Sequence, residues 1–129
     1  MNRVIKFKGK SVDSSEWIKG YYYKECDNTY IIEDRQKVSM LNRNEAVLID
    51  PDTVCQFTGF LDKNGKEIYE GDVIHIGPDY YVVIWVEDLG GFYLKVDYAK
   101  LPCTSPLGAM LCRFDFEVIG NINDDQKGG

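Results

Sequence analysis

Apolar and polar positions alternate with a period of two along much of this chain, and its apolar runs are short. The stretch 50–76, DPDTVCQFTGFLDKNGKEIYEGDVIHI, shows the pattern most densely, with Asp-Pro, Thr-Gly, Asn-Gly and Glu-Gly-Asp breaking up the apolar residues. Such punctuation predicts closely spaced antiparallel strands joined by tight turns rather than helices. Residues 4–10 put Lys6, Lys8 and Lys10 on one side and Ile5 and Phe7 on the other, as a half-buried strand requires. After a turn at 12–16, residues 17–24 predict a second strand, with Trp17, Lys19, Tyr21 and Tyr23 on one face and Ile18 and Tyr22 opposite. Asp27-Asn28 marks the next turn, and 29–33 its returning partner. Residues 34–44 are polar and without a decided period, a loop with some strand character.

Residues 46–49 form a short apolar run stopped by Asp50-Pro51, where an acceptor side chain and a fixed φ suit the first turn of a short helix. Residues 56–61 and 66–69 flank the turn Asp62-Lys63-Asn64-Gly65, whose glycine takes positive φ without steric cost. Strands are expected at 73–76, 80–87 and 92–96, separated by turns at 77–79 and 88–91. A second short helix is expected around 105–112, capped by Ser105 with Pro106 in its first turn, before a closing strand at 116–122. The expected organisation is one domain over residues 1–122 with a flexible acidic, glycine-containing tail at 123–129.

The run 80–86 is unusual because alternation leaves both sides apolar: Tyr80, Val82, Ile84 and Val86 on one, Tyr81, Val83 and Trp85 on the other. A sheet wet on one face would not need this, so the strand is expected to be covered twice, by the chain itself in preference to another subunit.

Charge and cysteines narrow the picture further. The net charge of −6 is unevenly spread: residues 1–43 carry nine basic and six acidic groups, a net of +3, and residues 44–129 six and fifteen, a net of −9. An acidic body argues against general binding to nucleic acid, where affinity comes from neutralising phosphates. Cys26, Cys55, Cys103 and Cys112 lie far apart and His75 is the sole histidine, so no zinc site is expected and the thiols are read as free and mostly buried. No apolar run is long enough to span a bilayer, and the N-terminus lacks a signal-like apolar core, so the protein is expected to be soluble and cytoplasmic.

Candidate chemistry is sparse. His75 would have to serve any nucleophile pair, yet it sits mid-strand in VIHIG, a surface position in the ordinary case. Glu70 and Asp72 bracket Gly71, where Asp72 is expected to bond turn amides. Asp50 and Asp52 read as helix-capping residues, and Gly90-Gly91 as a hairpin rather than a phosphate loop. One patch could hold a ligand: Arg3, Lys6, Lys8 and Lys10 beside Trp17, Lys19, Tyr21 and Tyr23. Cations beside aromatics on a sheet face can hold single-stranded nucleic acid by charge and stacking. Set against that are inward-facing aromatics serving as core, and lysines guarding an edge strand.

Five segments resemble, in order, the YopX-like family of phage and prophage proteins: IKFKGK (5–10), EWIKGYYY (16–23), DPDTVCQFTGFLDKNGKEIYEGDVI (50–74), VIWVEDLGGFYL (83–94) and FEVIGNI (116–122). The resemblance implies a mainly β domain: a strongly bent antiparallel sheet forming a small barrel-like (SH3-like) core with one or two short helices. It implies a phage or prophage setting and no catalytic residues, since the family looks uncharacterised. The leading expectation is a non-enzymatic accessory protein that binds a host or phage protein or assembles with itself. A nucleic-acid-binding module using the basic N-terminal strand is the alternative. Mimicry of nucleic acid by the acidic half and an enzyme rank below both. No cofactor, metal or membrane is expected.

Overall fold

Strand alternation and turn glycines carry over directly into the computed structural model, which describes residues 4–33, 46–96 and 106–124. The described chain is mainly β, with antiparallel pairing, two sheets and one short helix. In order come β1 (Phe7–Lys10), β2 (Trp17–Glu25), β3 (Asn28–Glu33), β4 (Ala46–Ile49), β5 (Cys55–Leu61) and β6 (Glu67–Tyr69). They are followed by β7 (Asp72–Ile76), β8 (Asp79–Val86), β9 (Gly91–Val96), α1 (Leu107–Leu111) and β10 (Glu117–Asn121). Two compact units divide between Gln56 and Phe57, so β5 begins in the first and ends in the second.

In the first unit the strands run β4-β3-β2-β1, and the other side of β1 meets the start of β5 at Phe7↔Gln56 and Lys8↔Cys55. The inner face buries Ile31 and Ile49, which are 0% and 1% exposed. Gly9 faces them so closely that a Cβ there would stand 2.5 Å from Ile49 Cγ2. That close approach lets the sheet curl until Ser11, just past β1, bridges Ile49 in β4 and the Val12 amide donates to Leu48 O at 3.1 Å. The curl is a single bridge rather than a ladder. No closed barrel forms among the described residues, and the barrel-like (SH3-like) part of the expectation is left without support.

The β2–β3 hairpin closes at Glu25↔Asn28, so its loop is Cys26-Asp27, one residue earlier than the Asp27-Asn28 turn read from sequence. Both loop residues have positive φ, 50° and 67°, because only a mirror-image turn matches the twist of the flanking strands. Cysteine is poorly suited to that conformation. The double substitution Cys26→Asn, Asp27→Gly therefore raises stability by about 1 kcal/mol, read as a higher urea midpoint at unchanged slope.

The helix expected after Asp50 is a single 3-10 turn, Pro51–Thr53, with the Asp50 side chain accepting from the Asp52 amide at 3.1 Å. It stops there because Thr53, 1% exposed, is bound on both sides. Its hydroxyl donates to Asp50 O at 2.7 Å and accepts from the Lys10 amide at 2.8 Å.

The second unit is built on the sheet β10-β7-β8-β9, with β6 paired to the end of β5. One sheet face gathers Ile74, Ile76, Val83, Leu94 and Val118 with Ile68, Phe116 and Leu107 into a buried cluster, against which Met110 and Leu111 of α1 pack. Asp62, 7% exposed, ties this unit together. Its Oδ1 accepts from the Asn64 and Lys66 amides at 2.8 Å each, and its Oδ2 from the Val118 amide at 3.0 Å. Burial pushes the carboxyl up in pKa, but those three amides and the nearby Lys66 charge outweigh it and hold the group below its usual value.

Several expectations change in detail. Strand β8 is covered on both faces at its centre, where Val82 and Val83 are 8% and 0% exposed, but Tyr80 and Trp85 near its ends are 49% and 44% exposed. Pro106 stands at the N-cap of α1 rather than inside its first turn, and Ser105 lies outside the described residues. Cys55 is buried while Cys26 and Cys112 are exposed, so burial of the thiols does not hold generally; Cys103 lies outside the described residues. Asn123 and Asp124, at the start of the segment read as a tail, are fastened. The Asn123 amide donates to Asn121 Oδ1 at 2.9 Å, and Asp124 Oδ2 accepts from the Asn121 amide at 2.7 Å. Residues 34–45 and 125–129 lie outside the described residues. No described helix is long and apolar enough to cross a membrane.

Candidate functional site

The register of β1, β2 and β3 decides which side chains share the outer face of the first unit's sheet. Lys8 pairs with Lys19 and Lys10 with Trp17 across β1–β2, while Tyr21 pairs with Ile32 and Tyr23 with Tyr30 across β2–β3. Since Ile31 and Gly9 belong to the inner face, these alternate residues face away from it. Tyr30 pairs onward with Leu48 of β4. The outer face thus carries Tyr21, Tyr23, Tyr30 and Leu48 as near neighbours, with Trp17 further along β2 beyond Lys19.

Period-two reading placed Trp17, Lys19, Tyr21 and Tyr23 together, and the structure does the same. Tyr21, Tyr23 and Leu48 are 50%, 36% and 37% exposed, so they are not core. Tyr23 stacks on Tyr30 with ring centroids 5.2 Å apart. The basic members divide. Lys8 Nζ lies 4.4 Å from the Trp17 ring centroid and Lys10 Nζ 5.4 Å from it, but Lys10 is only 4% exposed. Lys6 precedes β1 rather than lying in it, because pairing with β2 begins at Phe7↔Gly20. Arg3 lies outside the described residues. Nor is β1 an edge, having β2 on one side and β5 on the other, so its lysines do not guard a free strand.

Tyr30 and Leu48 were not singled out in the sequence. The signal for Tyr30 was present: once the hairpin loop is set, Tyr23 must face it. Leu48 needed the β3–β4 register, which spans residues whose pattern is undecided.

The other candidates have structural partners. Asp72, 1% exposed, accepts from the Tyr69 amide at 2.7 Å and from Asn121 Nδ2 at 2.8 Å, as expected of a turn-bonding carboxylate. Asn121 Nδ2 also donates to Glu70 O at 3.2 Å, which ties the Glu-Gly-Asp turn to β10. His75 is half-buried and stacks on Tyr80 with ring centroids 4.8 Å apart. Among the described residues no group of three or more His, Cys, Asp or Glu is arranged to hold a metal ion.

A family model described as YopX protein matches residues 2–127. No curated protein matches the chain.

Proposed function

Because the chain belongs to the YopX family, a membership that carries no activity with it, we propose from the geometry that it is a non-enzymatic protein-binding module. Its contact surface is the outer face of β1–β4. The observation that carries this is the outward row Trp17, Tyr21, Tyr23, Tyr30 and Leu48 on paired neighbouring strands. An antiparallel sheet with one wet face ordinarily turns polar residues outward. Aromatics displayed instead cost the isolated protein solubility without adding to its core, and tyrosine and tryptophan are the residues enriched where proteins meet. Lys19 stands within the row between Trp17 and Tyr21, with Lys8 across from it on β1, and the two suit a partner that brings acidic groups to that point. The phage or prophage setting implied by the resemblance makes a host or phage protein in the bacterial cytoplasm the partner, or a second copy of the chain.

The nucleic-acid reading loses ground for a physical reason. Among the described cations of that patch Lys10 is buried, which removes one charge from a surface that would have to track a phosphate backbone, and the exposed side chains of the face are mostly aromatic and apolar. Affinity capture from nuclease-treated host lysate separates the two readings. A partner that survives nuclease and 0.5 M salt supports the protein-binding module. Recovery that vanishes with nuclease, or no partner together with a strictly monomeric chain, overturns it.

A further inference from the structure

A cavity of about 290 Å³ opens in the second unit between the β7–β8 turn and the end of α1. Ile76, Tyr81, Met110 and Phe114 line it, and Asp79 and Asp115 stand in its wall. Ile76 is 8% exposed and Tyr81 and Met110 pack on the core cluster, whereas Phe114 is 48% exposed and both aspartates are exposed. We propose that this cavity is a binding site for a lysine or arginine side chain presented by a protein partner.

The chemistry narrows the occupant by elimination. An apolar group alone would make no use of the two carboxylates at the opening. An anion would be repelled by them, and by residues 44–129, which carry six basic against fifteen acidic groups. A bare metal ion would leave the apolar wall unused, and the two aspartates are too few ligands to hold it. What fits all the walls is a cation on an apolar stem. The methylenes lie along Ile76 and Met110, the charged head meets Asp79 and Asp115, and the rings of Tyr81 and Phe114 add cation–π attraction. The volume falls at the lower limit of small-molecule sites, roughly 300–1,000 Å³, and leaves ample room for one long side chain. The cavity shares no residue with the aromatic face of β1–β4, and the proposal does not depend on that face.

The test titrates the intact protein with three neutral-ended tripeptides, glycine-X-glycine with X as lysine, arginine or norleucine, and with n-butylammonium. The Met110 methyl resonance, assigned through a Met110→Leu variant, is the reporter. The lysine and arginine peptides are expected to shift it saturably in the millimolar range, and norleucine at least fivefold more weakly. The Asp79→Asn, Asp115→Asn double variant is expected to weaken the cationic peptides at least fivefold. Equal binding of norleucine, or no shift with either cationic peptide, overturns the proposal. Binding of n-butylammonium without the peptides also overturns it, since that outcome marks a site for free amines. The norleucine comparison uses the unaltered chain and stands even if the double variant fails to fold.

Discussion

Replacing Asp62 by alanine lowers the unfolding free energy of the second unit by about 4 kcal/mol, enough to consume much of the stability of an ordinary domain. The carboxylate is nearly buried and accepts from the Asn64, Lys66 and Val118 amides, so its loss removes three charge-assisted bonds at once and leaves the buried Val118 amide without this acceptor. Charge-assisted bonds of this kind are each worth about 1.5–3 kcal/mol. Asparagine does not rescue the position, because turning its oxygen toward Asn64 and Lys66 aims its NH₂ at the Val118 amide, donor against donor. Urea denaturation followed by Trp85 fluorescence in a Trp17→Phe background reads the effect in this unit.

The same carboxylate sets a pH dependence. Its folded-state pKa lies below the usual value of 3.8, so the folded chain holds the proton more weakly than the unfolded one. The contribution is fully present above that unfolded value and is lost as pH falls through the folded one. The wild-type chain therefore loses this contribution below about pH 4, and the Asp62→Ala chain shows a flatter acid limb. Parallel acid limbs in the two proteins would remove Asp62 from this role.

The second large effect concerns the outer face. Tyr21→Ala and Tyr23→Ala are each expected to weaken binding to the captured partner by about 30-fold or more, the loss typical of a buried aromatic anchor. Neither change costs more than about 1 kcal/mol of stability, since both rings are substantially exposed. Lys8→Glu with Lys19→Glu is expected to slow association and change its salt dependence, as charge reversal on a contact surface does. If the tyrosine variants bound as tightly as wild type while only the charge reversals failed, the contact would be electrostatic and the aromatic row incidental.

Much of this was legible in the sequence wherever a local rule sufficed. Period two sorted Lys6, Lys8 and Lys10 onto one side of the first strand and Trp17, Lys19, Tyr21 and Tyr23 onto one face of the second, and Asp50-Pro51 and Asn64-Gly65 marked their turns. What escaped depended on distant residues meeting. Lys10 alternates correctly but is buried, beside a residue forty-three positions on, Thr53, whose hydroxyl accepts from its amide. Asp62 reads as one more turn residue, and its reach to Val118, fifty-six positions away, leaves no local trace. The turn at Cys26-Asp27 was misplaced by one because Asn28 is the better turn former by composition, while strand register prevailed. The implied barrel-like core went unsupported for a related reason: a curl closed by one bridge between Ser11 and Ile49 looks, residue by residue, like any bent sheet.

The most direct test of the proposed interface is photo-crosslinking in the cells that express the protein, with p-benzoylphenylalanine placed at Tyr21 and, as a control in the other unit, at Leu89, which is 62% exposed. The account predicts a discrete, light-dependent, nuclease-resistant adduct from position 21 and none from position 89, its mass showing whether the partner is another protein or a second copy of this chain. No adduct from position 21, or one that nuclease removes, would contradict it.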